Sequence, residues 1–148
     1  MNEFEILEYA QSSFQQNAAY LLVVTILICL NFYLIRRARE TNMPVYGKAI
    51  TTIFGLMSVN FGWLVGSFLY NTQINMAFRL TELKNSGINI SAASESLIEF
   101  FGNPTTPSAG NTPDAPTMIF WGIISLMLIL GMWAPAPEGL MIKNNLTN

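Results

Sequence analysis

The sequence predicts an all-α integral membrane protein with three transmembrane helices, short interfacial helices and a long extracytoplasmic loop. Three observations predict it. First, the runs 18–35, 49–70 and 117–134 contain no Asp, Glu, Lys or Arg. Each approaches or exceeds the roughly 20 residues that a hydrocarbon core of roughly 30 Å requires at about 1.5 Å of rise per residue. Second, the link between the first two runs holds Arg36, Arg37, Arg39 and Lys48, four of the seven basic residues. Third, Tyr20 and Tyr33, Tyr46 and Tyr70, and Trp121 and Trp133 lie towards the ends of the three runs, where amphipathic rings settle at headgroup level.

Composition agrees with this class and excludes others. Of 148 residues, 51% are hydrophobic and 11% charged, and three spans leave no room for a separate soluble domain, so one membrane domain over 1–148 is expected. The net charge of −2 is too small for a nucleic-acid partner. There is no His, which removes the commonest general base and the commonest zinc and copper ligand. Cys29 is the only cysteine and reads as a small buried hydrophobe in the first run. No enzyme activity, cofactor or metal is expected.

Residues 1–17 carry Phe4, Leu7, Ala10 and Phe14 at helical spacing among Glu3, Glu5 and Glu8, a short amphipathic helix expected on the membrane surface. This acidic lead-in is unlike a cleavable signal, so span 18–35 should be retained. The basic connection 36–48 is cytoplasmic by the positive-inside rule, with Arg36, Arg37, Arg39 and Lys48 setting topology. That puts the N-terminus outside and the C-terminus in the cytoplasm of a bacterial or archaeal cell membrane. Pro44 fits the first turn of the next helix, with Thr41 or Asn42 near enough to cap it.

Beyond span 49–70, segment 71–116 should continue as a helix with Met76, Leu80 and Leu83 on one side and Gly87 at its stop. A second short helix, 92–101, offers Leu97, Ile98, Phe100 and Phe101 to the interface and is closed by Gly102. The stretch NPTTPSAGNTPDAPT is a loop returning to span 117–134. Pro135 and Pro137 end that span, and 135–148 is a short tail.

The residues most able to carry function lie on the second span. Ser58, Gly62 and Gly66 recur every four residues, a small-residue stripe that allows close helix contact in lipid. Together with Asn60 and Trp63 they form the candidate packing or partner face, open to another span of this chain or to another protein. An amide in hydrocarbon is costly, so Asn60 should find a partner. Thr25 and Ser125 stand at about its depth, and Asn31 is placed to bond in the same way.

The spans hold no ionisable residue of the kind proton relays and ion-coupled transporters use, and no catalytic motif occurs. The expected function is that of a non-catalytic accessory subunit of a larger integral membrane complex. Its expected partners are the bilayer, bound lipids, and other membrane subunits or copies of itself. The alternative is a self-oligomerising, membrane-permeabilising protein, since one class of phage holins shares this topology. A small channel lined by Thr25, Asn31, Thr51, Thr52, Asn60 and Ser125 is the third reading.

Overall fold

The structure, a computed structural model, describes residues 2–135. Four helices follow in order: α1 (Glu3–Glu40), α2 (Val45–Asn85), α3 (Ala92–Phe100) and α4 (Ala115–Trp133). Helices α1, α2 and α4 are long and apolar enough to cross a membrane, and an integral membrane location is compatible with them. Expectations that rest on Pro137 or Lys143 lie outside the described residues.

The N-terminal segment is not a separate surface helix. It is the first part of α1, which runs 38 residues without a break. Neither Gly nor Pro interrupts Glu3 to Glu40, so nothing in the backbone stops propagation. Asn2 starts the helix with a capping box, accepting from the Glu5 amide at 2.8 Å while its own amide donates to Glu5 Oε2 at 2.9 Å. The segment's buried side chains are Ile6, Ala10 and Asn17, whereas Phe4 is 72% exposed and Leu7 40%. The apolar spacing was correct for a helix, but the face is chosen by the helices that cover it.

Those helices are α2 and α3. At 41 residues, α2 is about 62 Å long, and α1 about 57 Å, roughly twice a hydrocarbon core of about 30 Å. The two pack antiparallel, and their far ends project together as a distal extension. Ile6, Leu80, Leu83 and Ile98 make its core, with Met76, Ile90 and Leu97 against it. The helical continuation past residue 70 and its Leu80–Leu83 side are as the spacing predicts. Gly87 (φ +80°) follows the Ser86 cap, and Gly102 (φ +71°) follows the Phe101 cap of α3. Both take the left-handed conformation that side chains other than Gly rarely adopt.

At the other end α1 and α2 turn through a short link. Thr41 caps α1, its hydroxyl donating to the Arg37 carbonyl at 2.9 Å, and Pro44 stands at the N-cap of α2. Neither Thr41 nor Asn42 caps α2, which has no side-chain cap. Helix α4, 19 residues long, packs only along the apolar half of this hairpin. The second core lies there, built on Val24, Val59, Val65, Trp121, Leu128 and Met132. Its surroundings are inverted relative to a protein in water: Leu22, Ile26, Ile53, Met57, Ile119 and Ile123 are all more than half exposed, a continuous apolar exterior suited to lipid. Cys29 belongs to that exterior and is exposed, not buried.

Candidate functional site

The small residues of α2 are the place where α4 lies down. A Cβ on Gly62 would clash with Cζ2 and Cη2 of the Trp121 ring, and one on Gly66 would come within 2.7 Å of Thr117 Cγ2. Gly55 extends the stripe, with Asn31 Oδ1 at 3.2 Å and Leu128 Cδ1 at 3.3 Å from its missing Cβ. Only glycine lets the helices approach this closely. Trp121, expected at headgroup level, is 5% exposed because its ring fills the Gly62 notch. The stripe therefore meets another span of the same chain.

The polar residues at this level divide sharply. Asn31 is fully buried; its Nδ2 donates to the Leu27 carbonyl at 2.8 Å and to Ser58 Oγ at 3.2 Å. Ser58 in turn donates to the Phe54 carbonyl at 2.9 Å. This α1–α2 pair is the interhelical amide bond of the bundle. Thr25 and Ser125 are satisfied within their own helices, donating to Leu21 O at 2.9 Å and Trp121 O at 2.8 Å. Asn60 meets neither of them: it is exposed and has no hydrogen-bond partner among the described residues. The reason is helical geometry. Position 60 lies about 140° around α2 from Gly55 at about 100° per residue, on the side away from α1 and α4.

Trp63 belongs to a second ladder. Trp63, Ser67, Asn71 and Asn75 recur every four residues and hold the backbone of the loop before α4. Trp63 Nε1 and Ser67 Oγ each donate to the Asn111 carbonyl at 2.9 Å. Asn71 Nδ2 donates to the Gly110 carbonyl, and its Oδ1 accepts from Ser108 Oγ at 2.6 Å. Asn75 meets Ser108 as a strand would, donating to its carbonyl at 3.0 Å and accepting from its amide at 2.7 Å. The Pro-rich loop is thus latched along α2, and Pro113 is carried to the open side of Gly66. Trp63 looked too deep for an interfacial tryptophan because the loop descends to meet it.

Charged residues close the two ends. Arg39 donates to the carbonyls of Gly131, of Leu130 at 3.3 Å and of Ala134 at 2.9 Å, placing a cation at the negative end of α4 and satisfying the Gly131 and Ala134 acceptors there. Trp133 Nε1 adds a bond to Thr52 Oγ1 at 3.0 Å. Arg36 pairs with Glu40 at 2.9 Å, which holds the Glu40 carboxyl below its usual range; Lys48 is half-buried near the same end. At the distal end Glu3 accepts from Ser91 Oγ and Ser94 Oγ at 2.6 Å and from the Ser91 amide at 3.1 Å. These bonds lower its pKa, the Ser91 hydroxyl first, and tie the start of α1 to the start of α3. Lys84 and Glu95 join α2 to α3 at 2.8 Å. A groove of about 540 Å³ opens on this extension between Tyr9, Asn71, Asn75, Arg79, Glu82 and Pro107, with the Arg79 guanidinium 5.2 Å from the centre of the Tyr9 ring.

Fold and site together define a helical bundle with three candidate membrane spans and a latched extension at one end. Compared with known proteins, the chain matches no family model, no curated protein and no solved structure.

Proposed function

We propose that this chain is a non-catalytic structural subunit of a larger integral membrane assembly. One observation carries the reading. Ser58, Trp63, Ser67, Asn71 and Asn75 along α2 hold other parts of the same chain in place, so that a latched extension is built on a close-packed three-helix base. Such an arrangement presents a surface; it does not line a path through the bundle.

Orientation follows from charge. The distal extension carries Glu3, Glu5, Glu8, Glu82, Glu95, Glu99 and Asp114 against Arg79 and Lys84. The opposite end carries Arg36, Arg37, Arg39 and Lys48 against Glu40. The positive-inside rule then puts the extension outside the cell membrane and the α1–α2 turn in the cytoplasm. The groove beside Tyr9 and Arg79 is the surface offered to a partner subunit. Mild extraction from native membranes should yield a particle containing other polypeptides; recovery of this chain alone under every extraction condition would refute the proposal.

The self-oligomerising, permeabilising reading has one observation in its favour, the unpartnered Asn60. Expression in a bacterium separates the two. Abrupt loss of membrane potential supports permeabilisation, and tolerated high expression supports the subunit.

A further inference from the structure

The back of α2 carries a feature that packing within the chain leaves unused. Tyr46, Ile50, Ile53, Met57, Asn60 and Leu64 follow one another at spacings of 4, 3, 4, 3 and 4, the seam of a heptad repeat. The seam lies opposite the glycine stripe, since Gly55, Gly62 and Gly66 cluster within about 40° of one another and these six positions centre about 180° away. The five apolar members are open: Tyr46 73%, Ile50 65%, Ile53 61%, Met57 63% and Leu64 46% exposed. The next seam position, Ser67, is where the latched loop begins to cover the helix. The seam therefore runs the length of the apolar half of α2 and stops at the loop.

Apolar exposure by itself describes any lipid-facing helix; Asn60 is what distinguishes this one. It stands 12 positions from Lys48 and 7 from Ser67, where the loop backbone begins, about 18 Å and 10 Å along the axis, inside a hydrocarbon core of about 30 Å. There an amide without a partner is costly. Lipid tails offer neither donor nor acceptor, and no described residue bonds to it.

We infer that two copies of this chain pair through the α2 seam in a parallel, two-fold dimer with Asn60 against Asn60 at its centre. The occupant follows from the chemistry. Copies inserted by one topology carry Asn60 at one depth, so a two-fold axis along the membrane normal brings the side chain to its own equivalent. A carboxamide is self-complementary: each Nδ2 donates to the other Oδ1, so that the oxygen and one N–H of each amide are paired at once. The apolar seam members flank the pair in the register that left-handed helix packing uses. A lone asparagine in such a seam fixes register and partner number. The contact is isologous and closes at two.

This dimer is a property of the chain alone, so it stands or falls separately from the subunit reading. The test uses the full chain with Cys29→Ser, labelled at Ser86→Cys on the distal end, in phosphatidylcholine vesicles over a series of protein-to-lipid ratios. Energy transfer should report a saturable dimer. Asn60→Val should weaken it about tenfold or more, and Asn60→Gln should stay within about threefold of the native chain. Position 60 touches neither core, so helicity should be unchanged in both variants, and so should thermal unfolding at protein-to-lipid ratios low enough to keep the chain monomeric. Separately, in the Cys29→Ser chain, Met57→Cys on the seam should cross-link under mild oxidation faster than Leu126→Cys, at a position 56% exposed on α4. A native chain that stays monomeric, an Asn60→Val chain that pairs as the native one does, or cross-linking at 57 no faster than at 126 would each overturn the inference.

Discussion

Two faces of one helix, about half a turn apart, have opposite fates. On the front of α2, Gly55, Gly62 and Gly66 leave notches that Asn31, Leu128, Trp121 and Thr117 fill. On its back, Ile50, Ile53, Met57 and Leu64 remain open around Asn60. The asparagines show the same contrast. Asn31 is buried and bonded to Ser58 and Leu27, and Asn60, of the same residue type at a similar level, has no described partner. The difference teaches where the chain ends its own assembly. A small-residue stripe in a three-span protein does not by itself point outward, because a large ring from the same chain can fill it; a stranded amide is the better pointer.

The comparison breaks most violently at Gly62. Gly62→Leu drives a side chain into the Trp121 ring, an overpacking that should cost about 3 kcal/mol or more and detach α4 from the hairpin. Lowered thermal stability in micelles and a red-shifted tryptophan emission would register it. On the back of the helix, by contrast, Met57→Leu should leave stability within about 0.5 kcal/mol of the native chain.

Next in size is the latch. Asn75→Ala removes both bonds to the Ser108 backbone and leaves a part-buried donor and acceptor unpaired, a loss of about 1–3 kcal/mol. It should appear as faster amide exchange at Ser108, with exchange in α4 unchanged. Ser58→Ala removes the acceptor for Asn31 and should lower stability by about 0.6–2 kcal/mol. If it instead matches an Asn60→Val variant, whose expected stability change in the monomer is nil, the distinction between the two faces fails.

The smallest effect is at the distal tip. The folded-state pKa of Glu3 is lowered by Ser91 and Ser94, so its contribution is present above the ordinary glutamate range and is lost as pH falls through the lowered value. Amide exchange in α3 should therefore accelerate on strong acidification, and Glu3→Gln should remove that pH dependence while raising exchange at neutral pH.

Much of this was legible in the residues. The three apolar runs, the helical continuation through Leu80 and Leu83, and the stops at Gly87 and Gly102 all follow from hydropathy, spacing and glycine chemistry, whereas spacing alone leaves the partner of the Ser58–Gly62–Gly66 stripe open between this chain and another. What escaped depends on which helix covers which side. Phe4, Leu7, Ala10 and Phe14 have the spacing of a buried face, but only Ala10 of the four is buried, and α2 and α3 cover Ile6 rather than Phe4 or Leu7. Trp121 resembles an interfacial ring until its partner glycine is known. The Trp63–Ser67–Asn71–Asn75 ladder had a visible signal, one polar-edged residue every four positions, yet its meaning depends on the descent of a loop some forty residues later in the chain. Arg39 read as a topology residue; that it also caps α4 depends on a contact across more than ninety residues.

The central claim is that α2 packs its own chain with one face and leaves the rest of the molecule to be completed by others. Native mass spectrometry of the particle carried directly from its own membrane into lipid nanodiscs tests it most directly. The account predicts two copies of this chain together with at least one other polypeptide. A lone monomer, with no second copy and no other subunit, would contradict it.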